Sequence, residues 1–135
     1  MSVDNNLVLA RRWFDEVWNG RNYNYAHELM TPGCRCQGQQ AEPIVGPEAF
    51  LFFASQIHAA FPDIRLTVED SFGAGDRVVV RWSGRATHQG ELGGIAPTQR
   101  WVAVYGISII QFENERAVAS WDCWDRAGLM GQISA

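Results

Sequence analysis

The stretch from Gln99 to Asp125 alternates so regularly that it admits little besides two long antiparallel strands joined by a tight loop. In QRWVAVYGISIIQFENERAVASWDCWD, Val102, Val104, Gly106, Ser108, Ile110 and Phe112 fall on one face of the first strand, and Trp101, Ala103, Tyr105, Ile107 and Ile109 on the other. Both faces are apolar, so this strand is expected to be buried on both sides. After the loop, Val118, Ser120, Asp122 and Trp124 share one face, and Ala117, Ala119, Trp121, Cys123 and Asp125 the opposite one. A loop of odd length, for example about three residues, brings Gly106, Ser108, Asp122 and Trp124 onto one face. Asp122 then stands among apolar and aromatic neighbours, where a carboxylate is costly unless chemistry requires it.

The chain upstream of this hairpin changes period. Asp4 or Asn5 can cap a first helix carrying Leu7, Ala10, Phe14, Val17 and Trp18 at spacings of three and four, and Gly20 stops it. A short second helix through Tyr25, Ala26, Leu29 and Met30 ends before Pro32, and Cys34 to Gln40 reads as a brief strand or an irregular crossing. Gly46-Pro47-Glu48 begins a third helix whose stripe of Phe50, Phe53, Ala54, Ile57 and Phe61 is ended by Pro62. The period then drops to two: Ile64, Leu66 and Val68 make a half-buried strand, a turn at Gly73-Ala74-Gly75-Asp76 follows, and Arg77 to His88 is the next strand. A glycine-rich loop, Gln89 to Pro97, leads into the hairpin, and a short helix from Ala127 to Ile133 closes the chain. Helices first and long antiparallel strands afterwards define an α+β domain in which a strongly curved, mostly antiparallel sheet wraps the N-terminal helices.

A chain of 135 residues is expected to form one domain. A formal charge of −4, with Lys and Arg scattered, argues against nucleic acid as a partner. The start, MSVDNNLVLARR, lacks the layout of a secretory signal, and the apolar runs are too short for a bilayer span, so no membrane partner and a cytoplasmic location are expected. Three cysteines make no disulfide framework, and Cys34-Arg35-Cys36 is too tightly spaced for a zinc knuckle. They read as small apolar core thiols, with no metal.

Several segments together carry a resemblance. Trp13-Phe14, Val45-Gly46-Pro47-Glu48-Ala49-Phe50, Ala60-Phe61-Pro62-Asp63, Gly75 to Trp82, Thr87-His88-Gln89-Gly90, Gly94 to Thr98 and Trp121-Asp122 resemble, in this order, the SnoaL-like polyketide cyclases of the nuclear-transport-factor-2-like superfamily. The resemblance implies a cone-shaped α+β barrel with an apolar pocket between sheet and helices, and a homodimer or tetramer assembled through the sheet. Ketosteroid isomerase, scytalone dehydratase and limonene epoxide hydrolase share that superfamily. It further implies that Asp122, in the Trp-Asp pair, works as acid and base without metal or cofactor. Two histidines of the cyclases have no counterpart: one position is Ser108, and the other falls near Cys36-Gln37. The family's turn glycine is replaced by Glu115, which implies a different turn geometry.

The site expected from these residues has Asp122 as general acid/base, with Ser108, Trp124, Gln37, His88, Phe53 and Trp82 as substrate contacts. Asp125, on the opposite face, is expected to be solvated or to cap the last helix. His27 and His58 are expected at the surface or its boundary, and Arg81 and Arg85 in a solvated or interface stripe. The leading reading is a cofactor-free enzyme acting on a small apolar or polycyclic carbonyl compound by aldol cyclisation, isomerisation or dehydration. Two others stand open: a binding or assembly module of the same fold without catalysis, and a divergent hydroxylase or epoxide-opening relative.

Overall fold

The computed structural model describes residues 2–38 and 40–134. The first helix, α1 (Val3–Trp13), is capped by Ser2, whose hydroxyl accepts the Asn5 N–H at 2.9 Å. Serine thus takes the capping place expected of Asp4 or Asn5, and Asp4 lies instead in the first turn, near the positive end of the helix dipole. From Phe14 to Asn19 the helix continues in π geometry, a change no spacing rule revealed, with Gly20 N–H donating to Asp15 O at 2.8 Å and Asn22 N–H to Glu16 O at 2.7 Å.

The next helix, α2 (Asn24–Leu29), stops one residue earlier than expected, because Met30 is already extended and opens β1 (Met30–Gln37). Pro32 cannot continue a helix, and the register shift between Met30 and Arg35 accommodates it in the strand. The strand therefore runs well ahead of Cys34, while Gln39, in the stretch expected to end at Gln40, lies outside the described residues. A two-residue strand β2 (Ile44–Val45) leads into α3 (Gly46–Ala60), which carries its proline in the first turn as expected.

The remaining strands are β3 (Arg65–Ala74), β4 (Arg77–Thr87), β5 (Trp101–Glu113) and β6 (Arg116–Trp124), followed by α4 (Arg126–Ser134). Asp125 caps α4: its Oδ1 accepts the Gly128 N–H at 2.9 Å. The six strands form one open sheet in the order β2-β1-β6-β5-β4-β3, antiparallel except where β1 meets β6. Its inner face packs against α1, the π segment and α3 through Ala10, Phe14, Val17, Phe50, Val80 and Phe112. No helix among the described residues is long and apolar enough to cross a membrane.

Two expectations about the hairpin need correction. Its loop is not odd: the turn is Asn114-Glu115, two residues with φ of 51° and 65°, the left-handed pair that matches the twist of a two-residue hairpin. Parity is restored by a bulge, since Phe112 pairs with Ala117 but Gln111 with Ala119, which leaves Val118 as an extra residue. Beyond it Ser108 faces Asp122 and Gly106 faces Trp124, as expected, while Ala117 joins the inner face. The second correction concerns burial. Only the inner face of β5 is covered; Trp101 is 65% exposed, Tyr105 63% and Ile107 48%. Apolarity on both faces predicted cover on both, but the described residues leave these three side chains of the outer one exposed.

Candidate functional site

Between the inner face of the sheet and the helices lies a cavity of about 140 Å³. Its walls are overwhelmingly apolar: Phe14 and Trp18 from the N-terminal helix, Phe50 and Phe53 from α3, Val104 and Ile110 from β5. Edge-on packing of Trp18 against Phe50 and Phe53, at ring-centroid separations of 6.0 and 6.4 Å, makes the helical wall rigid. The rim includes Gln37, Gly38 and Gln40, all exposed.

The polar groups gather on one side, where β1, β6, β5 and β4 lie next to one another. Ser108 Oγ donates to Asp122 Oδ1 at 2.5 Å, directly across the β5/β6 pair. Trp82 Nε1, one strand further on, donates to the same hydroxyl at 3.0 Å. An indole N–H donates only, so the serine hydroxyl accepts from Trp82 and spends its one proton on the carboxylate. Burial in the apolar cavity pushes Asp122 above the ordinary carboxylate range, and the hydroxyls of Ser108 and Ser120 pull it part of the way back. A carboxyl so raised is a stronger base than an ordinary aspartate and can both take and return a proton.

Gly106 makes the arrangement sterically possible. It sits between Trp82 on β4 and Trp124 on β6, and a Cβ there would lie 2.4 Å from Trp82 Cζ2 and 2.8 Å from Trp124 Cβ. Only a residue without a side chain lets the Trp82 indole lie flat enough to reach Ser108.

Of the residues singled out from sequence, Asp122, Ser108, Trp124, Gln37, Phe53 and Trp82 all line the cavity, and His88 does not. His88 is fully buried beside Phe61, and its Nδ1 accepts the Thr98 N–H at 3.2 Å and lies 3.0 Å from Thr98 Oγ1. It therefore anchors the loop between β4 and β5. Arg81 and Arg85 are both exposed, Arg85 at the cavity rim.

His58 departs from expectation. It is buried, not at a boundary, because both ring nitrogens find partners: Nε2 lies 2.9 Å from Trp18 O and Nδ1 2.5 Å from the Tyr23 hydroxyl. Burial holds it below the ordinary histidine value, and the Trp18 carbonyl opposes that shift. Sequence reasoning missed this anchor of the π segment, and the only signal was its i+4 spacing from Ala54 on the buried stripe of α3. Cys34 and Cys36 are buried thiols as expected, whereas Cys123 is exposed on the outer face of β6.

Comparisons with known proteins agree with this architecture. The model of the SnoaL-like polyketide cyclase family matches residues 8–133. A crystal structure of a protein assigned as a SnoaL-like polyketide cyclase from Jannaschia sp. CCS1 superposes with a TM-score of 0.91 at 25% identity, over 98% of this chain and 93% of that one. AclR from Streptomyces galilaeus, assigned as a hydroxylase, gives 0.88 at 24% over 98% and 82%. IdmH from Streptomyces antibioticus, assigned as a polyketide cyclase, gives 0.85 at 23% over 96% and 99%. No curated protein is significantly similar in sequence.

Proposed function

The chain belongs to the SnoaL-like polyketide cyclase family, and from that premise we propose that it is an acid/base enzyme acting on a small apolar carbonyl compound, with Asp122 as the group that moves the proton. The observation that supports this most directly is the 2.5 Å bond from Ser108 to a carboxyl held in an otherwise apolar cavity. Asp122 removes a proton next to the carbonyl, and the resulting enolate is closed by aldol cyclisation, reprotonated at another carbon, or relieved by loss of water.

Stabilising the enolate oxygen requires a donor, and the donors nearest the base are already engaged. The Trp82 N–H is spent on Ser108 and the Ser108 proton on Asp122. Proton uptake by Asp122 changes this. A protonated carboxyl can donate to Ser108, whose own hydroxyl proton is then free to turn to the substrate oxygen. Deprotonation of the substrate thus releases the donor that the new oxyanion needs, at the moment it is needed. Ser108 takes that part in place of a family histidine, and Gln37 at the rim and Trp124 beside Asp122 complete the contacts.

The size of the cavity narrows the substrate. A dry cavity of roughly 150 Å³ holds a benzene-sized ligand, so a volume of about 140 Å³ suits a single ring. A polycyclic substrate fits only if the rim at Gln37, Gly38 and Gln40 opens.

We also propose that a second copy of the chain covers the outer face bearing Trp101, Tyr105 and Ile107, giving a homodimer or tetramer through the sheet. Sedimentation equilibrium tests this; a monomer at micromolar concentration refutes it.

The chemistry is tested by deuterium exchange. Cyclohexanone or another single-ring ketone is incubated with the protein in D2O, and loss of the α-proton signal is followed by NMR. Acceleration that disappears in Asp122→Asn is the expected result. Saturable ketone binding with no acceleration would instead identify a binding module.

A further inference from the structure

The cavity holds a second reactive group that the proton transfer above does not use. We propose that Cys36 is a nucleophilic site within it, able to form a thioether with an α,β-unsaturated carbonyl ligand.

Cys36 and Cys34 lie on the same face of β1 and are both buried, but only Cys36 is part of the cavity wall. The parallel pairing of β1 with β6 sets Cys36 opposite Ser120, and Asp122 is the next inward residue of β6. Cys36, Ser120, Asp122 and Ser108 therefore form one polar side of an apolar chamber, with the mouth at Gln37 immediately beside the thiol. The Cys34 S–H and the Ser120 hydroxyl both lie within reach of the Cys36 sulfur, the one Ser120 proton being shared with the Asp122 carboxylate. These two donors hold Cys36 below the ordinary thiol value in spite of burial and of the Asp122 charge, while the bond to Cys36, together with burial, pushes Cys34 far up. Of the two thiols, Cys36 is the one that faces the cavity, with the Asp122 carboxylate as a base on the same wall.

The chemistry balances with the groups at hand. The Cys36 proton passes to the Asp122 carboxylate. The sulfur then attacks the β-carbon of an enone, the C–S bond forms, and the π electrons move onto the carbonyl oxygen. Asp122 returns its proton to the α-carbon, which leaves a saturated ketone bound as a thioether and the carboxylate restored. No oxidant, reductant or metal takes part. The proposal shares the cavity and Asp122 with the enolisation reading, but not its reaction.

The test uses 2-cyclohexen-1-one on the native protein at neutral pH, with adducts located by peptide mass spectrometry. Cys123, exposed on the outer face, is an internal reference for ordinary thiol reactivity. Alkylation of Cys36 is expected to saturate with enone concentration and to exceed that of Cys123 by about tenfold, because the bound enone lies beside a thiol that has its own base. Asp122→Asn is expected to slow Cys36 by a similar factor and leave Cys123 unchanged, with circular dichroism confirming the fold. Cys36→Ser removes the inner adduct. Modification of Cys123 with Cys36 free, or of Cys36 only in urea, overturns the proposal. Trapping at Cys36 without α-proton exchange would sink the enolisation reading alone, and exchange without trapping would sink this site alone.

Discussion

Ser108 Oγ and Asp122 Oδ1 lie 2.5 Å apart across the β5/β6 pair, and the Trp82 indole donates to the same hydroxyl from the neighbouring strand. Three residues from three adjacent strands thus fix one proton. A donor to the charged form lowers a carboxyl's pKa, so removing it must raise the value further.

Ser108→Ala is therefore expected to move Asp122, already above the ordinary carboxylate range, upward again. A shift of about one unit corresponds to a hydrogen bond of ordinary worth to a charged group. NMR titration of the Asp122 carboxyl and the acidic limb of the pH–rate profile should move together. A serine that only fills space would leave both unchanged.

Asp122→Asn separates stability from chemistry. A carboxyl whose folded pKa is raised binds its proton more tightly folded than unfolded, so stability falls as pH rises from about 3.9 through the raised value. At neutral pH, well above the ordinary carboxylate value, the aspartate costs stability that an amide does not, and Asn should raise unfolding stability by about 1–2 kcal/mol. Below about pH 3 the Asp122 carboxyl is protonated in the folded and the unfolded state alike, and the gain should vanish. Urea titration at both pH values checks this, and a loss of stability at neutral pH would show that the carboxylate is structural.

Gly106→Ala tests the fit between Trp82 and Trp124. A Cβ 2.4 Å from Trp82 Cζ2 must push the indole aside, which separates its N–H from Ser108. Overpacking of this kind costs about 1–3 kcal/mol, and a shift in tryptophan emission should accompany the loss. Gly131→Ala in α4, where an added Cβ meets nothing within 4 Å, is the control and should stabilise by about 0.5–1 kcal/mol. Equal effects at the two positions would contradict the packing argument.

His58 sets a different pH dependence. Its pKa is held down in the folded state, so its contribution is complete above the ordinary value near 6.5 and is lost as pH falls through the depressed one. The pH dependence of thermal unfolding below about pH 6.5 should therefore steepen in the wild type and flatten in His58→Phe. Protonation keeps the Nε2 bond to the Trp18 carbonyl but puts a second N–H on Nδ1, so acid should disturb the contact with the Tyr23 hydroxyl, which a shift in tyrosine fluorescence would report.

What the sequence revealed and what it hid divide along one physical line. Period-two alternation in the strands, the proline at the start of α3 and the acid ahead of α4 are local signals, and each appears in the fold where its chemistry requires it. The features that were hidden depend on contacts distant in sequence. The π geometry of Phe14 to Asn19 is secured by His58, forty residues away from Trp18. The engagement of Ser108 by Trp82 could not be read from either residue alone. Cys36 looked like any core thiol until β1 was paired with β6.

The face of Asp122 shows how a right conclusion can rest on a wrong route. An odd loop was expected, yet the turn has two residues and the bulge at Val118 supplies the missing one. Deletion of Val118 should therefore leave every inward residue from Ser120 to Trp124 inward, because it removes only the unpaired position. Fold, Ser108–Asp122 pairing and activity should survive, with a cost of about 1–2 kcal/mol from the lost local twist. Insertion of an alanine after Ser120 has the opposite character. It adds one residue to a paired strand, sends Asp122 and Trp124 to the outer face and the neighbouring Trp121 into the cavity, and should abolish both activity and cooperative unfolding. Amide hydrogen exchange across β6 distinguishes the two. If the deletion proved as damaging as the insertion, Val118 would be a paired residue and the parity argument for Asp122 would fall.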